Sequence, residues 1–236
     1  MTNAPQDEAD ILASQIRYYR NRAPEYDDWV LRRGSYDRGE KHRQQWVAEL
    51  SEVENALLTM APIGDALEIA CGTGQWTRHL APVCQSLMAV DTSPEVIAIN
   101  RETVASPHVK YLEENIFDWE PTQQFDFILF GFWLSHVPPD RFNEFWDKIA
   151  RTLKPNGTVF FVDSKFSQNS KSTDAPSVVR DDVIHRRVTE NGDGFDIFKV
   201  FYEPVDLESR LLSLGWSGKV NASPESFIYG SMHRGV

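Results

Sequence analysis

The stretch from 66 to 76, ALEIACGTGQW, limits the possible folds more than any other part of this chain, because a buried apolar run becomes a glycine-rich turn within a few residues. Ala66, Leu67, Ile69 and Ala70 predict a short strand buried on both faces. Gly72 and Gly74 then remove side-chain bulk where the backbone must turn sharply, so a ligand can lie against the main chain. Beyond the turn, Trp76, His79 and Leu80 fall at helical spacing, which predicts a helix whose first N–H groups point back at the turn. A buried strand, a glycine turn and a helix in this order form the opening unit of a doubly wound α/β sheet.

Two cofactor classes use such a unit. A dinucleotide site calls for G-x-G-x-x-G, and in this register the third small position is Thr77. Glu68 beside the turn suits a ligand carrying an amino group better than a pyrophosphate. These residues resemble the class I S-adenosylmethionine (SAM) dependent methyltransferases, whose first motif joins an acidic residue to a G-x-G turn. Ala70 stands where many members have the first glycine. The resemblance implies SAM as cofactor, with Glu68, Ala70, Gly72, Gly74 and Trp76 on the cofactor side. A nicotinamide-dependent oxidoreductase and a non-catalytic SAM-binding protein are the rival classes.

The chain has 236 residues and a formal net charge of −11, which fits one decorated domain and opposes nucleic-acid partners, since a polyanion calls for a basic footprint. No apolar run approaches a membrane span, and the polar start MTNAPQDEAD has no signal-peptide pattern, so a cytoplasmic protein, monomeric or homodimeric, is expected. Cys71 and Cys84 form neither a disulfide framework nor a metal motif.

Residues 86–91, SLMAVD, predict a second buried strand, and Asp91 lies 17 positions after Gly74. An acid there accepts from both hydroxyls of a ribose, with Thr92 beside it. The alternative role for Asp91 is to cap the helix that Ser93 and Pro94 begin. Strands are also expected at 109–113, 125–130 and 158–163, with helices at 8–22, 40–59 and 140–153. By the resemblance, Asn115 bonds the adenine amine and Ile116 flanks the ring. The segment RYYRNRAPEYDDW resembles a cofactor-covering segment of small-molecule methyltransferases. Tyr19, Tyr26 and Arg22 would then face the sulfonium and the methionine carboxylate, with Tyr18 towards the substrate. Anchoring of a helix to the core is the other reading of these aromatics. If the segment is a lid with few contacts of its own, it orders when the cofactor binds.

The loop after the fourth strand, GFWLSHVPPDRF, leaves the sheet at the edge where open α/β sheets bind ligands. It lacks the Asn/Asp-Pro-Pro-aromatic signature of amino-methylating nucleic-acid enzymes. Phe132 falls on the cofactor side, Trp133 would wall the substrate pocket, and His136 is the candidate general base, with an acid limb expected near pH 6–7. His136 would otherwise hold the turn before Pro138 and Pro139. His185, Arg186 and Arg187 form a basic cluster that is either a solvated face or suited to an anionic substrate, with His185 the substrate candidate.

The expected architecture is one Rossmann-like domain. It divides into a helical lid and packing helix (1–60), a SAM core (61–163), a flexible substrate loop (164–194) and a C-terminal half (195–236) with FKVFYE and FIYGSMHR as strands. By the resemblance, seven mostly parallel strands run in the order 3-2-1-4-5-7-6, the last antiparallel, with helices on both faces. The expected reaction is methyl transfer to a small molecule, at a hydroxyl, with N- or C-methylation as alternatives.

Overall fold

A computed structural model describes residues 7–166, 178–179, 183–189 and 192–235. Among the described residues three α-helices precede the sheet: α1 (Glu8–Asn21), α2 (Tyr26–Leu31) and α3 (Glu40–Leu58). The central unit then runs β1 (Ile63–Ile69), α4 (Thr77–Leu80), β2 (Cys84–Asp91), α5 (Pro94–Val104), β3 (Val109–Glu113), β4 (Phe125–Gly131), α6 (Phe142–Thr152) and β5 (Leu153–Ser164). Next come β6 (Val178–Val179), β7 (Ile184–Val188) and β8 (Gly194–Phe198), then α7 (Pro204–Ser213), β9 (Trp216–Ala222) and β10 (Phe227–Arg234). The main sheet has the order β3-β2-β1-β4-β5-β10-β9, in which β10 is antiparallel to both neighbours. This is the expected seven-strand order.

The apolar runs are continuous because both faces of these strands are covered. Successive residues alternate between two core layers: Leu67, Phe130 and Phe161 pack with Trp146 on one side, and Ala66, Leu129 and Phe160 pack with Trp46 and Phe227 on the other.

Two elements differ from expectation. FKVFYE is not a strand of the main sheet: only Phe198 is extended, as the end of β8, and the sixth main-sheet strand is β9. β9 lies at the sheet edge and buries only Trp216 and Val220, so it carries no apolar run to reveal it. The helix after the glycine turn is a single turn, α4, because Pro82 follows in a tighter 3₁₀ turn, Ala81–Val83. The expected flexible loop at 164–194 lies partly outside the described residues. Those described within it include β6 and β7, which join β8 in a separate antiparallel sheet.

That small sheet and α1 form one cap over the carboxyl edge of the main sheet. Tyr18 packs with Phe195 and Ile197. Ser14 Oγ accepts from the Asp196 N–H at 3.0 Å and Gln15 Oε1 from the Phe198 N–H at 3.0 Å. Arg141 and Glu8 pair at 2.5 Å near the start of α1. The N-terminal helix is therefore tied down at several points and does not fit the expectation of a segment with few contacts.

Candidate active site

The carboxyl ends of β1, β2 and β4 open into a cleft of about 870 Å³, part of it open to solvent. Ala70 takes φ +54° at the tip of β1 and Gly72 takes φ +52°. A left-handed alanine costs about 1–2 kcal/mol, which the surrounding turn must hold in place. A Cβ built on Gly72 meets no atom within 4 Å, so the turn forms an open cradle at the cleft. Gly74, at φ +100°, serves packing instead: a Cβ there would come within 2.9 Å of Asn100 Oδ1 on α5. The buried Asn100 Nδ2 in turn reaches the carbonyls of Cys71 and Gly72 at 3.2 and 3.1 Å, and Thr77 Oγ1 at 2.8 Å.

Asp91 closes one wall. Its two carboxylate oxygens accept from the Gly72 and Ser93 N–H groups, each at 3.0 Å. Burial raises its pKa, against the pull of those backbone bonds. Each oxygen keeps acceptor capacity for a ligand hydroxyl. Thr92 lines the same wall.

Opposite lie Ile116, Phe117 and Trp133, giving a flat apolar slot, with Asn115 at its rim. The Asn115 amide stabilises its own turn, donating to Asp118 Oδ2 at 2.7 Å and accepting from the Phe117 N–H at 3.1 Å. The buried Lys148 on α6 supports this loop: its Nζ donates to the carbonyls of Ile116, Phe117 and Trp119 at 3.0, 2.9 and 2.8 Å.

Tyr19, Tyr26, Phe132 and His136 form the far end of the cleft, and the same four residues line a second cavity of about 830 Å³ behind it. Tyr18, Arg22, His185 and Arg187 belong to that second cavity. The two spaces therefore meet across a wall of three aromatic rings and one imidazole. Phe132 holds its place at φ +56°, with its N–H donating to the Val162 carbonyl at 2.7 Å.

His136 is fixed from several sides. Its Nδ1 lies 2.6 Å from the Phe198 carbonyl, which can only accept, so Nδ1 carries the proton. Burial and then the neighbouring Lys199 hold its pKa well below the ordinary imidazole value, against the effect of the Phe198 bond, and the ring is neutral. Nε2 therefore presents a bare lone pair, onto which Tyr19 OH donates at 2.6 Å. Burial, followed by the nearby Tyr18 and Tyr26, raises the Tyr19 pKa, so its hydroxyl stays protonated. Gln15 Nε2 donates to the His136 carbonyl at 3.2 Å. The fully buried Asp163 accepts from the Ser135 N–H at 2.8 Å and from Lys199 Nζ at 3.2 Å, while Lys199 also donates to Ser135 Oγ at 2.7 Å.

Several expected residues lie elsewhere. Glu68 is 1% exposed and bonded to Thr77, facing away from the cleft, and burial pushes its pKa up to about 8. It is a neutral acid that supports the turn from behind. Trp76 is buried beneath the wall, its ring 6.2 Å from that of Phe132, and it occupies the space that a side chain on Gly131 would need. Trp133, expected at the substrate, lines the first cleft, and Arg22, expected at the cofactor, lines the second. Sequence reading missed Gln15, Asn100, Lys148, Asp163 and Lys199. A charged or amide side chain within an otherwise apolar helical face was the one available signal, in Gln15 and Lys148.

Residues 66–157 match the family model for a methyltransferase domain. A solved complex of DhpI with SAH is 33% identical, covers 97% of this chain and 99% of that one, and superposes with a TM-score of 0.80. The chain belongs to the class I SAM-dependent methyltransferases. An uncharacterized methyltransferase of Staphylococcus carnosus is 30% identical over 67% of this chain and 72% of its own length. Nodulation protein S of Rhizobium tropici is 27% identical over 57% of this chain, and the match spans only 54% of that relative. The first cleft fits SAM, the cofactor of this family. The Gly72 cradle leaves room beside the main chain, Asp91 suits a ribose, and the slot at Ile116 and Phe117 suits a planar base.

Proposed function

We propose that the protein transfers the methyl group of SAM to a hydroxyl of a small molecule held in the second cavity, with His136 as general base. The carrying observation is the position of His136 Nε2: a neutral, tautomer-fixed acceptor in the wall that the two cavities share. SAM supplies an electrophilic methyl on a sulfonium. Asp91 would hold its ribose, Ile116 and Phe117 its base, and the faces of Tyr19 and Tyr26 would attract the cationic centre. Phe132 and the two tyrosines exclude water from the wall.

The acceptor hydroxyl must lose its proton as its oxygen attacks. In this reading it occupies or shares the position of the Tyr19 hydroxyl, and the proton passes to His136 Nε2, directly or through Tyr19 OH. Alignment by the two cavities contributes the rest, since fixed near-attack geometry alone supplies several kcal/mol. An amine acceptor arrives with its lone pair available, which would leave the fixed tautomer of His136 without a task.

The test is release of adenosylhomocysteine from SAM with hydroxyl-bearing acceptors, comparing the wild type with His136→Gln. A general base contributes about 10²–10⁴-fold, so kcat should fall by at least a hundredfold while adenosylhomocysteine affinity holds. Undiminished turnover by the folded variant would dismiss His136 as the base.

A further inference from the structure

The second cavity has a charge pattern opposite to that of the chain. The protein carries 35 acidic and 24 Lys or Arg residues, yet Arg22, Arg187 and Lys199 line this cavity and, among the described residues, no aspartate or glutamate does. Among the described residues only Lys199 of the three is neutralised, by Asp163 at 3.2 Å. Among the described residues, neither Arg22 nor Arg187 has a carboxylate partner. The Arg22 guanidinium instead donates to Tyr36 OH at 2.7 Å and Tyr18 OH at 3.3 Å, and lies 5.4–5.8 Å from the centroids of Tyr36, Tyr26 and Tyr18. Arg187 enters from the other side. On β7 the side chains alternate, so Arg186 turns away to pair with Asp196 at 3.1 Å while His185 and Arg187 face the cavity. The basic cluster is thereby divided between an ordinary ion pair and a site. Charges from both arginines reach Tyr19 and Tyr36, which places the two guanidinium groups around the same phenols.

An uncompensated cation in a recessed cavity is costly until an anion joins it, and two forked guanidinium groups suit an oxyanion. We propose that the second cavity is a subsite for a small organic anion, a carboxylate or phosphoryl group clamped by Arg22 and Arg187, so that the methyl acceptor is an anionic molecule. Arg22, the residue that caps the C-terminus of α1 in helical conformation, follows Tyr19 by three positions, a separation of about 5–6 Å between neighbouring Cβ atoms on a helix face. The acid group and the reacting oxygen are therefore only a few bonds apart. This inference rests on the methyl-transfer reading for the use of the anion, but binding tests it independently.

The experiment is calorimetric titration of the protein saturated with adenosylhomocysteine, using 3-hydroxypropanoate, 2-hydroxyethyl phosphate and the neutral propane-1,3-diol. At least one anion should bind ten or more times tighter than the diol, and the tighter of the two identifies the oxyanion. Arg22→Gln and Arg187→Gln should each weaken that anion at least tenfold, with partial rescue by Lys, while adenosylhomocysteine affinity changes less than threefold. Equal binding of the diol, or anion affinity untouched in both variants, overturns the subsite. Arginine-dependent binding followed by a methyl ester rather than an ether sustains the subsite and refutes the hydroxyl reading.

Discussion

Replacing Asp91 with asparagine isolates its proposed role at the ribose. Each carboxylate oxygen already accepts one backbone N–H at 3.0 Å, from Gly72 and from Ser93, so each has acceptor capacity for one ligand hydroxyl. Hydrogen bonds to a charged group contribute about 1.5–3 kcal/mol each, giving roughly 3–6 kcal/mol for two. Asparagine keeps one acceptor oxygen, for Gly72 or Ser93, but its amide nitrogen cannot accept from a hydroxyl. The loss should lie nearer the lower bound, about 3 kcal/mol, which corresponds to a roughly hundredfold weaker Kd. Calorimetric titration with adenosylhomocysteine measures it, with the urea midpoint confirming that the variant is folded. An affinity within threefold of the wild type would refute the reasoning and place the ribose elsewhere.

Two further substitutions test groups outside the cleft. Lys148→Met leaves three loop carbonyls at 2.8–3.0 Å without their donor, that of Ile116 buried and the other two half-buried, and at about 1–3 kcal/mol for a buried unsatisfied group it should cost at least about 1 kcal/mol in urea denaturation and at least tenfold in adenosylhomocysteine affinity. An unchanged midpoint would mean that the loop stands without Lys148. Glu68 has its folded pKa raised from 4.5 to about 8, so its contribution to stability is full below pH 4.5 and declines as pH rises towards 8. Glu68→Gln should therefore gain on the wild type between pH 5 and pH 8 by more than about 1 kcal/mol, at roughly 1.4 kcal/mol per pKa unit, and an equal difference at both pH values would contradict a neutral Glu68.

What could be read from the sequence follows from how local each feature is. The unit from Ala66 to Asp91 was legible because an apolar run, a glycine turn and an acid at the end of the next strand are each written in consecutive residues. The structure places Ala70, Gly72 and Asp91 of that unit on one cleft, together with Asn115 and Ile116, which lie beyond it and were expected only from the family resemblance. The side a residue faces was less accessible: Glu68 and Trp76 belong to the motif but turn behind it, and Arg22 and Trp133 exchange cavities. The support of His136 was hidden because it is assembled from distant segments, with Gln15 on α1, Asp163 near the end of β5, Phe198 at the end of β8 and Lys199 just beyond it. Arg187 was visible only as one member of a charged triplet until strand alternation separated it from Arg186. β9 escaped because an edge strand needs few apolar residues.

The pH dependence of kcat with a hydroxyl acceptor tests the central claim most directly. A free imidazole would give an acid limb near about 6.5. Burial and Lys199 hold the His136 pKa well below that value, so the neutral base persists as pH falls and the limb must be displaced downward. The account predicts a flat rate from about pH 8 through 6.5 and a decline only at lower pH, with His136→Gln showing a rate at least about a hundredfold lower and no such limb. A limb at or above 6.5, or a profile shared by the wild type and His136→Gln, would contradict it.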